Sequence, residues 1–149
     1  NERHHLMTFI EIAKPTRIER FLIITVQAIF YALYWLLYMI SPKTAHRLVG
    51  YLEEEAVVSY SHYLSHVDSG QTENIPAPEI AKNLWRLPED ARLREVIVAI
   101  RADEMKHREV NHCIADKLSG KACDLQLARD ISSEDKERLQ QYRSRQFPE

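Results

Sequence analysis

Two copies of a Glu-x-x-His motif stand near opposite ends of the 149-residue sequence: Glu2 with His5, and Glu104 with His107. Side chains three positions apart lie on one face of an α-helix, so each pair can present a carboxylate and an imidazole to the same point. A single copy is weak evidence, because both residue types are common on solvated helices. Two copies match the helix-bundle di-iron site, in which two helices each supply Glu-x-x-His and two others each supply one Glu.

A third carboxylate comes from the segment 52–56, which reads LEEEA. Three consecutive side chains spread over about 200° of a helix, so these three acids cannot all face one point. Glu53 is the best candidate, because it lies on a mostly apolar or small stripe with spacings of three and four. The other members of that stripe are His46, Gly50, Val57, Tyr60 and Leu64. Tyr60 is either an ordinary buried tyrosine or a redox and proton-transfer residue beside metal ions.

The stretch that leads to the second motif changes from apolar to charged on one face. Leu93, Ile97 and Ile100 are followed on that face by Glu104 and His107. Burying an ion costs several kcal/mol unless a partner or a metal compensates, so this pattern favours a metal site over a decorated surface. Glu and His ligands without a thiolate favour iron or manganese, although zinc also accepts them.

The ligand count is one short of the di-iron template. The template needs four Glu and two His, whereas the motifs supply Glu2, Glu53 and Glu104 with two His. The sequence also starts with Asn inside a candidate motif. We therefore expect a fragment, inactive alone, whose upstream part carries the missing helix, its Glu and any targeting peptide.

The composition predicts an all-α chain, because 45% of residues are hydrophobic and only three are Gly. Ser41 and Pro42 are typical of a helix N-terminus, and Pro88 is expected to begin the last long helix.

We expect a single-domain fragment over 1–149. Its segments are a bundle helix over 1–14, an apolar helix over 16–40, a bundle helix over 42–68, a loop over 69–87 that allows a short turn of helix near Glu79, a bundle helix over 88–119 and a polar tail over 120–149.

The segment 21–40 contains 20 residues without a charge, long enough as a helix to cross a bilayer core of about 30 Å. Its aromatic residues are spread along the run instead of gathering at the two ends, as they do in a span. Basic residues flank both ends, and a crossing would place the two Glu-x-x-His motifs on opposite sides of the membrane. These features favour a membrane-interfacial or dimer-face helix over a span or a buried core helix.

Net charge and cysteine content argue against nucleic-acid binding and against a cysteine-based framework or metal site. The net charge is −2 and no basic patch is interleaved with aromatic residues, so we expect no nucleic-acid partner. Cys113 and Cys123 are too few for a disulfide framework and lack a paired metal-ligand spacing. Reduced thiols are therefore expected.

Three motifs resemble the alternative oxidase family, the cyanide-insensitive ubiquinol oxidases. They are Asn1-Glu2-Arg3-x-His5-Leu6-Met7-Thr8, Leu52-Glu53-Glu54-Glu55-Ala56 and Arg101-Ala102-Asp103-Glu104-x-x-His107-Arg108. The resemblance extends to about Gly120, and the family's first motif, which holds its first Glu ligand, is absent. It implies a ferritin-like di-iron four-helix bundle, with one bundle helix missing here, plus a monotopic, membrane-interfacial apolar helix that also takes part in a homodimer.

The resemblance also implies a role for particular residues. Glu2 and Glu104 would bridge two iron ions, and His5, Glu53 and His107 would complete the ligands, with Tyr60 needed for catalysis. Residues expected around the ligands are Asn1, His46, Trp85 and Asp103. Residues expected to line the quinol pocket are Glu55, Ala56 and Ser59, the last standing where the family usually has Thr.

The implied reaction is oxidation of ubiquinol with reduction of dioxygen to water, without proton pumping. The implied location is a membrane surface, either the mitochondrial inner membrane or a bacterial cytoplasmic membrane. Three alternatives stay open at this point: a membrane-bound di-iron quinone-ring hydroxylase, a ferritin-like iron-binding protein, and a metal-free helical interaction module.

Overall fold

The computed structural model describes residues 2–124, and five α-helices account for most of them. The helices are α1 (Glu2–Ala13), α2 (Arg17–Ile40), α3 (Pro42–Asp68), α4 (Glu79–Trp85) and α5 (Leu93–Lys117). The described residues contain no β-strand, only an isolated bridge between Pro76 and Arg92. The all-α expectation is therefore confirmed. The prediction for Asn1 and the prediction for most of the polar tail concern residues outside the described range.

Side-chain caps fix the start of α2 and its boundary with α3. Thr16 caps α2 by accepting a hydrogen bond from the Glu19 backbone N–H, and the Glu19 side chain accepts one from the Thr16 N–H in return. Ser41 ends α2 and caps α3, where Pro42 occupies the first turn. Pro has no N–H to leave unsatisfied there, which is why it favours a helix start.

The segment predicted as a loop over 69–87 contains a helix of seven residues, longer than the short turn allowed near Glu79. Glu79–Trp85 forms α4, which begins after Pro78 and ends where Arg86 takes a left-handed backbone conformation with φ 51°. The segment is too short to show a helical repeat, but Ala81 is fully buried against the core. Tertiary packing therefore supports a longer helix than the local pattern indicates.

The predicted start of the last bundle helix at Pro88 is also wrong. Residues 88–92 form a turn and bridge, and α5 begins at Leu93, where the Glu95 side chain accepts a hydrogen bond from the Arg92 N–H. The helix ends at Lys117, and Gly120 follows in a left-handed conformation with φ 75°. Glycine adopts that conformation without steric cost, so it reverses the chain here.

The core forms mainly where α3 packs along α5. Val96, Ile97 and Ile100 of α5 are fully buried, and Leu64 and Val67 of α3 pack in the same region. Phe9 of α1 contacts both clusters, so the short first helix is seated on the α3–α5 pair. This arrangement brings the first turn of α1 and the middle of α5, which carry the Glu-x-x-His motifs, together beside α3.

Within residues 2–124, α2 is the one helix whose length and apolar composition would allow it to cross a membrane. None of its residues is buried. Its exposed large side chains include Phe21, Ile29, Tyr31 and Trp35. The helix is therefore not part of the core formed by residues 2–124.

Cys113 and Cys123 form a disulfide with a Cα–Cα distance of 5.5 Å. The expectation of reduced thiols is therefore wrong. The left-handed Gly120 turns the chain after α5, and this reversal lays Cys123 back against the helix. The pairing depends on that reversal, which the cysteine spacing alone does not reveal.

Gly50 lies where α3 approaches α5 most closely. A Cβ added at Gly50 would lie 2.6 Å from the His112 ring, and that ring accepts a hydrogen bond from Arg47 Nη1 at 2.8 Å. In Gly50→Ala, the added methyl group therefore clashes with the His112 ring, which Arg47 holds in place. The cost of this clash exceeds the gain in helix propensity. We expect the free energy of unfolding to fall by about 1–2 kcal/mol, as measured by denaturant titration.

The His112→Ala background is the control for Gly50→Ala. With the ring removed, alanine at position 50 has room, and the substitution should become neutral or stabilising. A destabilisation by Gly50→Ala that is equal in both backgrounds would contradict the contact as its cause.

Candidate metal centre

Three helices bring together four of the five predicted ligands. One ligand atom each of Glu2, Glu53, Glu104 and His107 lies within 4.8 Å of the others. Glu2 comes from the first turn of α1, Glu53 from the middle of α3, and Glu104 and His107 from one face of α5. Glu104 is buried, Glu53 and His107 are half-buried, and Glu2 is exposed. A cluster of three carboxylates and an imidazole is a suitable set of ligands for a hard or borderline cation.

His5 lies beside this group and contacts it through the glutamates. Its Nδ1 is 3.0 Å from Glu104 Oε1 and 3.5 Å from Glu2 Oε2. Its Nε2 is 3.5 Å from Asp103 Oδ2. The imidazole is almost completely buried, and each of its two nitrogens faces a carboxylate. Its role as a ligand stays a prediction.

The two glutamates of the motifs lie between the two histidines. Glu2 is 2.9 Å from His107 Nδ1 and 3.5 Å from His5 Nδ1. Glu104 is 3.0 Å from His5 Nδ1 and 3.4 Å from His107 Nδ1. The two rings are stacked with centroids 6.2 Å apart. Each carboxylate therefore reaches both imidazoles.

One buried oxygen of this cluster lacks a hydrogen bond of normal geometry. Glu104 is 3% exposed, and its Oε2 makes a long contact of 3.4 Å with His107 Nδ1 but no hydrogen bond among residues 2–124. Leaving a buried carboxylate oxygen without a hydrogen bond is costly, whereas a bound cation would satisfy it. The burial, this poorly satisfied oxygen and the choice of donors all fit a metal ion.

The carboxylates of the two motifs have strongly lowered pKa values. Hydrogen bonds with His107 and then His5 hold the pKa of Glu2 far below its usual range. Burial opposes ionisation of Glu104, but contacts with His107 and His5 outweigh it and lower its pKa to about 2. Both groups are therefore anionic at neutral pH.

The other titratable groups are shifted upwards. Burial raises the pKa of Glu53 to about 8, helped by the adjacent Glu104 carboxylate. Contacts with Glu104 and Glu2 raise the pKa of His107 to about 9. Burial opposes charge on His5, yet Asp103, Glu104 and Glu2 together raise its pKa to about 11. Protons on these three groups therefore offset part of the negative charge that a cation would otherwise neutralise.

A second set of side chains positions the ligands. Trp85 Nε1 donates a 2.9 Å hydrogen bond to Asp103 Oδ2, the same oxygen that faces His5. The Trp85 and His5 rings are stacked with centroids 5.7 Å apart. The chain Trp85–Asp103–His5 therefore fixes one imidazole, a common arrangement around metal-site histidines.

His46 lies further from the cluster. Its Nδ1 is 2.9 Å from Asn111 Oδ1, so it links α3 to α5 four residues beyond His107. Sequence reasoning did not identify the neighbouring network in which Arg47 reaches His112 and Asp116. The sequence feature that could have indicated this network is the spacing of Arg47, Gly50 and Glu54, which places them on one face of α3.

Tyr60 is half-buried two turns from Glu53 and stacks on Phe9 with centroids 6.0 Å apart. Burial raises its pKa to about 12, and the nearby Glu104, Glu2 and Glu53 carboxylates add to the shift. The phenol therefore keeps its proton at neutral pH while lying within electrostatic range of the cluster.

The residues predicted to line a quinol pocket lie on another side of α3. Glu55 and Ser59 are exposed and Ala56 is half-buried. None of the three belongs to the metal-ligand cluster found among residues 2–124. Their role stays a prediction.

The family model described as alternative oxidase matches residues 1–116. The chain belongs to the alternative oxidase family. The match contains every residue of the acidic and histidine cluster, together with Trp85, Asp103 and Tyr60.

Curated relatives from plants and fungi support the family assignment. "Ubiquinol oxidase 1a, mitochondrial" of Arabidopsis thaliana is 60% identical over 116 residues, covering 78% of this chain and 33% of the relative. "Ubiquinol oxidase 2, mitochondrial" of Glycine max is 57% identical, covering 78% of this chain and 35% of the relative. "Ubiquinol oxidase, mitochondrial" of Batrachochytrium dendrobatidis is 51% identical over 118 residues, covering 79% and 37%. The chain thus spans about a third of the length of the curated relatives it matches.

Proposed function

We propose that the protein is a ubiquinol oxidase that passes electrons from ubiquinol to dioxygen, giving water, at a centre of two iron ions. The observation that carries this proposal is the convergence of Glu2, Glu53, Glu104 and His107 within 4.8 Å. Membership of a family whose relatives are called ubiquinol oxidases supports the choice of substrate. Iron bound here would supply the redox chemistry that joins quinol oxidation to dioxygen reduction.

The positions of the side chains suggest how the ligands are divided. His5 and His107 would each hold one ion, and Glu2 and Glu104, which reach both rings, would be shared between the ions. Glu53 would complete the site from α3. Residues 2–124 thus offer three Glu and two His, and the template's fourth Glu is not identified among them.

Around the ions, the protein's own groups would control charge and protons. Asp103 and Trp85 would hold His5 in one orientation, and Asn1 and His46 are proposed neighbours of the site. Tyr60 would keep a proton that it can donate during dioxygen reduction. Glu55, Ala56 and Ser59 would contact the quinol.

The apolar helix α2, none of whose residues is buried, supports a location on a membrane surface. A 24-residue helix with no buried residue exposes a large apolar area that lipid or a second copy of the chain would cover. We propose a monotopic protein on a mitochondrial membrane that forms a homodimer. The mitochondrial location rests on the names of the relatives.

The test is to load the full-length protein with iron anaerobically, place it in lipid vesicles and measure oxygen consumption with ubiquinol. We expect two irons per chain, cyanide-resistant oxygen uptake, and oxidised quinone with water as the products. Insertion of oxygen into the quinone ring would instead indicate a hydroxylase. Iron binding without turnover would indicate a ferritin-like protein, and failure to bind iron would indicate an interaction module.

Iron binding should release protons. At pH 7, His107 and Glu53 carry protons because their pKa values are raised to about 9 and about 8. Metal coordination requires the unprotonated forms. We therefore expect about two protons per loaded site, a third if His5 coordinates, and an affinity that rises with pH between about 6 and 8.

Calorimetry in buffers of different ionisation enthalpy, with anaerobic Fe²⁺ as the ligand, measures that proton release. The matched variant is His5→Gln, which should remove the third proton only if His5 is a ligand. An affinity that does not change with pH over this interval would contradict the assignment of His107 and Glu53 as ligands.

A further inference from the structure

We propose that Cys113 and Cys123 form a reversible redox site at the end of α5, which a dithiol reductant opens and a small-molecule disulfide closes again. Cys113 lies within α5, and Cys123 lies six residues beyond the end of that helix. Cys123 also lies beyond residue 116, where the family match ends. The bond therefore joins a residue inside the family match to one outside it.

The chain reversal that pairs the two cysteines does not depend on their bond. The Gly120 N–H donates to the Lys117 carbonyl at 3.0 Å, and the Lys121 N–H donates to the Asp116 carbonyl at 2.9 Å. Gly120 adopts the left-handed conformation that this turn requires. Reduction would therefore leave the two thiols close together, which is the condition for re-forming the bond.

The two sulfurs differ in access to solvent. Cys113 is 3% exposed, whereas Cys123 is half-buried and borders an open cavity of about 610 Å³. Lys117, Lys121 and Asp124 line the same cavity, and Lys121 Nζ is 4.0 Å from Asp116 Oδ1. Because Cys123 is the more exposed of the two cysteines, an external thiol meets it first.

The exchange proceeds in two balanced steps. A thiolate of the reductant attacks Cys123 Sγ, the Cys113–Cys123 bond breaks, and Cys113 leaves as a thiolate that takes up a proton. The second thiolate of the reductant then attacks the mixed disulfide and releases Cys123. Two electrons pass from the dithiol to the protein, and the reductant becomes a disulfide.

Tryptic mapping of the full-length protein, acid-quenched and alkylated without reduction, tests for the bond. Trypsin cuts after Lys117 and Lys121, between the two cysteines, so the disulfide holds together peptides 109–117 and 122–129. We expect this linked pair, its separation by dithiothreitol, and its return with oxidised glutathione. Complete alkylation of both cysteines before any reductant is added, even after treatment with oxidised glutathione, would overturn the proposal.

Thermal unfolding gives a second measurement. Closing a short loop stabilises the folded state, so reduction should lower the melting temperature by about 5–10 °C. Cys123→Ser removes the bond without changing the buried cysteine, and its melting temperature should not respond to dithiothreitol. Ser119→Ala is the matched control in the same turn and should keep both the linked peptides and the response. An equal response in Cys123→Ser would contradict a role for the bond.

Discussion

Replacing Glu53 with Gln is expected to remove iron binding while leaving the metal-free fold intact. The pKa of Glu53 is raised to about 8, first by burial and then by Glu104, so this carboxyl group is already neutral at pH 7 before a metal binds. Glutamine has nearly the same shape and the same charge as that protonated acid. The substitution therefore removes an anionic ligand at little cost to the folded protein.

The expected loss of iron affinity is at least about 100-fold, because residues that only support a ligand already cost about 10- to 100-fold when they are replaced. Anaerobic Fe²⁺ titration measures the affinity, and circular dichroism with thermal unfolding checks the fold. Oxygen consumption should fall with iron content.

Glu54→Gln is the matched control on the same helix. Glu54 is exposed and lies 3.3 Å from His112 Nε2, outside the cluster, so this variant should bind iron normally. Glu104→Gln should lose iron as Glu53→Gln does, but with a larger cost to stability, because Glu104 is buried between two histidines. Normal iron binding by Glu53→Gln would rule out a ligand role for this residue.

The convergence of the cluster was predictable because helical periodicity acts over short distances. The spacing of Glu104 and His107 places both on one face of α5 without any knowledge of the fold. Among three consecutive acids, the apolar stripe singled out Glu53, and the structure places this residue in the cluster. The bounds of α3 follow from Ser41 and Pro42 for the same local reason.

The features that sequence reasoning missed depend on contacts between distant segments. The full length of helix α4 depends on packing of the buried Ala81, and α5 starts at Leu93 because Leu93 N–H donates to the Ile75 carbonyl at 2.8 Å. The Cys113–Cys123 disulfide needs the left-handed turn at Gly120. None of these contacts leaves a periodic signal in the sequence, so only the packed structure reveals them.

Tyr60→Phe is expected to abolish turnover without affecting iron. Phenylalanine keeps the ring that stacks on Phe9 and loses only the hydroxyl group, so stability should fall by no more than about 1 kcal/mol. The raised pKa of about 12 keeps the proton on the phenol, where it is available for transfer to reduced oxygen. Loss of a positioned proton donor costs about 100-fold or more in rate.

Tyr63→Phe is the matched control for this experiment. Tyr63 is half-buried on the same helix and packs in the cluster around Leu64 and Ile97, so it shares the fold environment of Tyr60 but not its proximity to the carboxylates. Oxygen consumption by iron-loaded vesicles should fall in Tyr60→Phe and remain normal in Tyr63→Phe, with equal iron content in both. Full activity in Tyr60→Phe would show that the phenol serves packing alone. A ferritin-like iron-binding protein would be unaffected by loss of the Tyr60 hydroxyl group. Loss of oxygen consumption in Tyr60→Phe alone would therefore indicate an oxidase site instead of simple iron storage.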